Sequence, residues 1–554
     1  MNRDPLPASQ PMIPPSAPAH PAAAAGPLYI DILLAKLEQG GDKPVLRHRG
    51  RDVSARALLH SVGRFAAALS RLGTGAGDLV ALLAPNSADA LALRYATHVL
   101  GAVSCYLPTP RSAEQGAALV AAMQPRMVVL FPETAHLLPR IGAASLMTVG
   151  LDLPGIPRLD APAEGLACPL PATRARPEEL AVITSSGGTT GVPKGSRRSF
   201  AAYTATVNTP SPADRRQLVN GPLAYLSQVL TDTTLLGGGV VVLEDCCEPA
   251  ATLRAIETER VTDLFLVEPQ LFALMDHPGL QRRDLSSLRA ITHVGASAPP
   301  ILRRRALERL GPVLVHVYGA SEIGLVSVLA PAEYALARED LLTSAGRIRP
   351  GVEVRFRRSD GTLASPGEIG LIEVRSPAMA EGYRNRPDLE AATFHEGWYS
   401  SADLGHLDQG GLLHVLGRAG DIAWIDGAMV TPTCLEEVLC RDGGVRLAVA
   451  VAEEDASCWF VAVLPWPGAP VSTARCAQAI AASFGAAVAG RVRLLPLTSV
   501  PLTEQGKPDR EAIRAMGRDG AASPCPGLPG PIRHQGLPAE RAAPAFRGGE
   551  PRTT

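Results

Sequence analysis

Leu180-Ala-Val-Ile-Thr-Ser-Ser-Gly-Gly-Thr-Thr-Gly-Val-Pro-Lys194-Gly195 opens as a short apolar run and continues as a loop of small and hydroxyl-bearing residues. Residues 180–183 read as a buried strand. After it, Gly187, Gly188 and Gly191 let the backbone turn with its amides exposed. Those amides, the hydroxyls of Ser186, Thr189 and Thr190 and the Lys194 ammonium make a nest suited to a polyphosphate. A Walker A loop needs Gly directly before its Lys and Ser or Thr directly after it. Here Pro193 precedes Lys194 and Gly195 follows, so this is a phosphate loop of another kind.

Outward from this loop, short apolar runs alternate with amphipathic stretches: 79–83, a helix-like 87–100, 103–107, 127–131, then a helical 249–260 followed by 263–267. Repeated strand and helix predict α/β architecture, with parallel sheets covered on both faces. Residues 361–375 read differently, with Gly and Pro turns between alternating strands, and the texture recurs at 412–416, which predicts a β-rich subdomain. After Arg418 strand and helix return, ending in a helix over 509–516. The expected organisation is therefore a disordered segment over 1–27, a large domain over 28–418, a small mobile C-terminal α+β domain over 419–516 and a disordered tail over 517–554. Both ends are rich in Pro, Ala, Gly and Arg and cannot bury enough surface to offset their ordering entropy.

A chain of 554 residues holds more than one folded unit. With 53 basic and 54 acidic residues, the net charge of −1 provides no field for nucleic acid or anionic lipid, so small-molecule partners are expected. The nine cysteines form no CxxC pair and no zinc-ligand spacing, and no stretch approaches the roughly 18–20 apolar residues of a membrane span. A reduced, cytoplasmic protein is the expectation.

The Ser186–Gly195 loop resembles the phosphate loop of the adenylate-forming superfamily of acyl-CoA synthetases, adenylation domains and luciferases. Four further motifs follow in that family's order. His293-Val-Gly-Ala-Ser-Ala298 is similar to a Gly-rich strand end that lies beside the acyl chain and adenine, implying Gly295, Ala296 and Ser297 as binding residues. Val317-Tyr-Gly-Ala-Ser-Glu-Ile-Gly324 resembles Tyr-Gly-x-Thr-Glu. The resemblance implies that Tyr318 and Gly319 border adenine, Ser321 meets phosphate and Glu322 holds magnesium. Gly397-Trp-Tyr-Ser-Ser-Ala-Asp-Leu-Gly405 resembles the segment whose aspartate, here Asp403, accepts hydrogen bonds from both ribose hydroxyls; Ala402 stands where Gly is usual, a change expected to be mild. Arg418, which contacts ribose in the family, precedes a hinge occupied here by Gly420. Pro501-Leu-Thr-Glu-Gln-Gly-Lys507-Pro-Asp-Arg510 resembles the C-terminal motif that carries the catalytic lysine.

The resemblance implies ATP and Mg²⁺ as cofactors, an acyl-adenylate formed with Lys507 between carboxylate and α-phosphate, and a swing of the small domain that admits a thiol. CoA or a separate phosphopantetheinyl carrier protein would be the acceptor. Met429 replaces the arginine that can meet CoA phosphates, which weakens the case for CoA. The acyl pocket is expected around residues 222–236, 293–297 and 318–326, with the Tyr225 phenol nearby, and a fatty or aryl acid as substrate. The alternatives are a stand-alone enzyme that loads a carrier protein and a degenerate nucleotide-binding protein, the latter raised by Ala402, Gly420 and Met429.

Overall fold

The computed structural model describes residues 26–142, 145–161, 170–186, 194–294, 298–334, 338–454 and 457–519. The first 25 residues and those from 520 on, expected to be disordered, lie outside the described residues.

Two twisted sheets share a layer of helices. The six-stranded sheet runs Leu146–Thr148, Met127–Leu130, Leu79–Leu83, Val103–Tyr106, Leu180–Ser186, Lys194–Ser199. It is parallel except for its last pair. The nine-stranded sheet has antiparallel Arg51–Ser54 at one edge, is parallel from Pro44–His48 through Leu314–Ala320 and closes with antiparallel Gly324–Leu329 and Arg347–Ile348. Val80, Leu82 and Val129 of the first sheet and Leu46, Val241 and Leu243 of the second bury into one core with the helices Tyr29–Gly40, Ala55–Arg71, Ala88–Val99 and Tyr225–Leu236. Ala88–Val99 is buried on every side from Ala90 on, as a helix between two sheets must be, and Ser87 caps it by accepting the Ala90 N–H at 3.2 Å.

That layer also encloses charge. Arg94 and Asp232, both fully buried, pair through both guanidinium nitrogens, and Tyr95 and Tyr203 donate to the same carboxylate at 2.7 and 2.5 Å. Every acceptor site of Asp232 is engaged, which is what makes a buried carboxylate tolerable.

A five-stranded antiparallel sheet built from Glu353–Arg357, Gly370–Arg375, Phe394–His395, Trp398–Leu407 and Leu413–Arg418 forms the β-rich portion. Beyond Arg418, the hairpin Ala423–Ile425 and Ala428–Val430 precedes a three-stranded sheet of Leu447–Ala452, Trp459–Leu464 and Val492–Pro496. The helices Pro432–Arg441, Thr473–Phe484 and Arg510–Asp519 complete this part; the last begins one residue later than expected and runs on to Asp519. Leu447, Val449 and Val451 join the apolar core of the nine-stranded sheet, while Ala448, Ala450 and Ala452 face the other way. Period-2 alternation thus gives the C-terminal sheet one face for itself and one continuous with the large body.

Candidate active site

The two strands that flank the expected phosphate loop are described. Leu180–Ser186 and Lys194–Ser199 pair antiparallel with Ser186 opposite Lys194, so the chain leaves and re-enters the sheet at one point. Gly187, Gly188, Thr189, Thr190 and Gly191 lie outside the described residues, as do Gly295, Ala296 and Ser297; Ser186 is described by its strand backbone alone.

Lys194 Nζ lies 3.1 Å from Glu322 Oε1 and 5.2 Å from the centre of the Tyr383 ring. Glu322 is 4 % exposed. Its Oε1 also accepts the Tyr383 hydroxyl at 2.9 Å, and its Oε2 accepts the Ser321 hydroxyl at 2.9 Å. Burial pushes this carboxyl up, but the Lys194 charge and the donors Ser321, Lys194 and Tyr383 outweigh it and hold the group below the usual glutamate range. The residue is placed by a tight turn between Leu314–Ala320 and Gly324–Leu329. At Gly319 the strands approach so closely that a Cβ would fall 2.3 Å from the Gly324 carbonyl oxygen. Ser196 binds the turn from below, donating to the Ser321 carbonyl at 3.2 Å.

A second carboxylate lies nearby. Asp403 Oδ2 accepts the Tyr318 hydroxyl at 2.7 Å, and Oδ1 lies 3.1 Å from Arg418 Nε. Burial raises the Asp403 carboxyl, opposed by the Arg418 charge and the Tyr318 hydrogen bond. Tyr318 is itself buried, so it acts on the site through Asp403. Each carboxylate oxygen keeps a lone pair for a further donor. Ala402, just before Asp403, has φ +60°, the left-handed region that disfavours any residue with a Cβ. The Gly-to-Ala change expected to be mild therefore places alanine in backbone that suits glycine.

Lys507 lies within electrostatic reach of Arg418 and Glu322. Its side chain is exposed, with protein crowded around it. That crowding, then the Arg418 charge, lowers its pKa below the ordinary lysine value, partly offset by Glu322. The loop is held against the large body by side chains that no sequence pattern marked. The Thr109 N–H and hydroxyl donate to the Glu504 carboxylate at 2.8 and 2.6 Å, and Arg111 pairs with Asp509 at 3.1 Å. Gly506, at φ +77°, fits so closely that a Cβ would lie 2.5 Å from Gln270 Nε2 and 3.2 Å from Val267 Cγ2. Behind the site His293 stacks on His316, which bonds Arg303 at 2.8 Å. Burial, then the Arg303 charge, pushes His293 down to about 3, so it is neutral.

The described residues thus bring together Lys194, Tyr318, Gly319, Ser321, Glu322, Asp403, Arg418 and Lys507 from segments far apart in the chain. Tyr383 joins them unannounced, since a single tyrosine in a loop carries no periodic or charge signal.

The region thus gathers a paired lysine and carboxylate, a second carboxylate with an arginine, and a lysine on the loop between the strand Val492–Pro496 and the helix Arg510–Asp519. The AMP-binding enzyme model matches residues 34–384. The chain belongs to the AMP-binding enzyme family and is by class an AMP-forming acid–thiol ligase. It is 30 % identical over 530 residues to the medium/long-chain-fatty-acid–CoA ligase FadD8 of Mycobacterium tuberculosis, covering 88 % of this chain and 90 % of that one. It is 32 % identical over 434 residues to the indoleacetate–CoA ligase of Aromatoleum aromaticum, covering 76 % and 84 %. Among solved structures, it resembles the amide bond synthetase McbA of Marinactinospora thermotolerans with a TM-score of 0.77 and 32 % identity, over 88 % of this chain and 99 % of that one. No helix among the described residues is long and apolar enough to cross a membrane.

Proposed function

We propose that this chain activates a fatty or aryl carboxylic acid with ATP and passes the acyl group to the thiol of CoA, as a cytoplasmic enzyme. In the first step a carboxylate oxygen attacks the α-phosphorus, the bond to the β-phosphate oxygen breaks, and pyrophosphate leaves. In the second the thiol sulfur attacks the acyl carbonyl, AMP departs and the thiol proton passes to solvent. The observation that supports this reading is that Lys507, from the C-terminal part, lies within electrostatic reach of Glu322 and Arg418 of the large body. A carboxylate and a triphosphate repel each other, so neutralising charge is the main task of such a site. Lys507 meets that need at the carboxylate and α-phosphate. Lys194, 3.1 Å from Glu322, takes the β- and γ-phosphates with Thr189 and Thr190.

Glu322, a buried carboxylate beside the Ser321 hydroxyl, would hold a hard cation. Magnesium bound there supplies charge neutralisation for the departing pyrophosphate. Asp403 takes the ribose hydroxyls with Arg418 beside it. Residues 28–418 form the catalytic body and 419–516 the unit that swings about Gly420. The test is acid-dependent exchange of labelled pyrophosphate into ATP across a panel of fatty and aryl acids. Exchange with at least one acid is expected; none with any would overturn the reading.

A second reading concerns the acceptor. Met429 lies opposite the exposed Trp424 in the hairpin Ala423–Ile425 and Ala428–Val430, an apolar pair ill suited to the phosphates of CoA. McbA, similar over nearly its whole length, is an amide bond synthetase. Both observations favour an acceptor lacking the CoA nucleotide: an amine, or a carrier's phosphopantetheine. Supplying CoA, a phosphopantetheinylated carrier and a primary amine to the acyl-adenylate decides between them, and thioester formed only with CoA would dismiss this reading.

A further inference from the structure

Lys507 is presented by a loop that closes on itself. The Thr503 N–H donates to the Lys507 carbonyl at 2.8 Å, the Asp509 N–H donates to the Pro501 carbonyl at 2.8 Å, and Leu502 bridges Pro508. A loop braced in this way moves as one piece, so whatever holds it also aims its lysine. Two carboxylates flank that lysine in sequence, Glu504 before it and Asp509 after it, and one segment of the large body takes both. The Thr109 N–H and hydroxyl donate to the two oxygens of Glu504 at 2.8 and 2.6 Å, and Arg111 pairs with Asp509 at 3.1 Å. That segment is itself fixed. Arg140 donates to the Pro110 carbonyl at 3.0 Å, the Arg111 N–H donates to Gln115 Oε1 at 2.7 Å, and Ser112 caps the helix Ala113–Met123 by accepting the Gln115 N–H at 3.1 Å. Asp509 also accepts the Ala512 N–H at 3.2 Å, at the start of the helix Arg510–Asp519, so its contact reaches beyond the loop into the C-terminal part.

We propose that Thr109 and Arg111 are positioning residues for adenylate formation, a two-point clamp that grips the Lys507 loop by the carboxylates on either side of the lysine. The inference rests on the two-step reading above. Two donors from one residue fix both the place and the orientation of the Glu504 carboxylate, and the second point at Asp509 stops the loop from pivoting about the first. Both carboxylates are thereby turned to the large body and not to the Lys507 ammonium, which is left for the reacting anions. Glu504 and Asp509 belong to the part that swings, Thr109 and Arg111 to the part that stays. The clamp therefore exists only while Lys507 is in place, and it has no task in the transfer step.

The test uses Thr109→Val, Thr109→Ser, Glu504→Ala and Arg111→Gln in the full chain, with Thr109→Val also combined with each of the last two. One readout is the pair of half-reactions, pyrophosphate exchange and acyl transfer from preformed acyl-adenylate. The other is hydrogen exchange at the Ile301 amide, in the first turn of the helix Pro300–Leu310, which donates to Glu437 of the C-terminal part at 2.7 Å. That separate contact reports docking without chemistry; in the wild type the Thr109 amide reports the same event. A net hydrogen bond of ordinary strength corresponds to roughly three- to tenfold, and a solvent-exposed ion pair to at most about fivefold. Thr109→Val should slow pyrophosphate exchange and speed Ile301 amide exchange by the first factor, Arg111→Gln by the second, and Glu504→Ala by at least as much as Thr109→Val. Acyl transfer should keep its rate throughout, and Thr109→Ser should behave as the wild type. Thr109→Val should add nothing to Glu504→Ala, whose contact it shares, and should multiply with Arg111→Gln. Unchanged Ile301 exchange in Glu504→Ala, equal loss of both half-reactions, or multiplication of Thr109→Val with Glu504→Ala would overturn the clamp. If the wild type activates no acid, the functional reading fails, and Ile301 exchange still decides the clamp.

Discussion

Raising the pH from 6 to 8 should loosen the C-terminal part from the large body, because two carboxyl groups meet across that boundary. Glu268 opens the helix Glu268–Met275 of the large body, and Glu436 lies in the helix Pro432–Arg441 of the C-terminal part, its Oε1 accepting the Ala450 N–H at 2.9 Å. Facing them are Arg510, which also donates to the Ala450 carbonyl at 3.1 Å and lies 3.7 Å from Asp421, and Arg303 on the Glu268 side. Asp421 adds a repelling charge at Glu436, and the Cys440 thiol, itself pushed up by burial, lies beside both. One arginine cannot satisfy so many carboxylates. Burial, then repulsion by Glu436, raises Glu268 to about 8; burial raises Glu436 to about 7, with Arg510 opposing both shifts.

The sign follows from linkage. Undocked and hydrated, both groups return to about 4.3, so the docked form binds protons that the undocked form releases. Docking is strongest below about 4.3 and weakens as pH rises through about 7 and then about 8. Each proton held only by the docked form costs about tenfold in docking per pH unit, about 1.4 kcal/mol, until its group ionises. Protection of the Thr109 amide, corrected for intrinsic base catalysis, should therefore fall by roughly 50-fold from pH 6 to 7 in the wild type, because both groups hold protons there only in the docked form. In Glu268→Gln only Glu436 still titrates, and the fall over the same interval should be roughly fivefold. Superimposable profiles for the two proteins would refute the reasoning.

Ala402→Gly should stabilise the protein by about 1 kcal/mol, since relief of left-handed alanine strain, about 1–2 kcal/mol, exceeds the entropy glycine adds to the unfolded chain, about 0.4–1 kcal/mol; denaturant midpoints compared at constant m-value check this. Glu322→Gln removes the charge that holds Lys194 and suits a cation, and should cut pyrophosphate exchange by at least about 100-fold while the melting temperature changes little. Asp232→Ala leaves Arg94 charged and unpaired in the central helix layer and should destabilise the fold by about 3–5 kcal/mol, visible in chemical denaturation whatever the substrate.

The chemistry was legible in the sequence because phosphate and ribose restrict the residue types that can serve them. Gly187 to Lys194, Glu322, Asp403 and Lys507 are recognisable by identity and order alone, and the alternation of 79–83, 87–100 and 103–107 into strand, helix and strand was readable from apolar period. What escaped were residues whose value lies in a partner. Tyr383 matters because its hydroxyl lands on Glu322, Thr109 because it meets Glu504, and Glu268 because of the charge of Glu436, distant in the chain; none stands out within its own segment. Ala402 shows the same limit in one residue. Its replacement of glycine was visible, but its consequence depends on a backbone angle fixed by the strand pairing that orients Asp403. Substrate-facing groups are constrained by a ligand that every member of a family shares, whereas the groups that hold Lys507 in place are constrained only by one another. The Thr109–Glu504 contact and the carboxyl pair at the boundary hold the C-terminal part through residues that no motif marks.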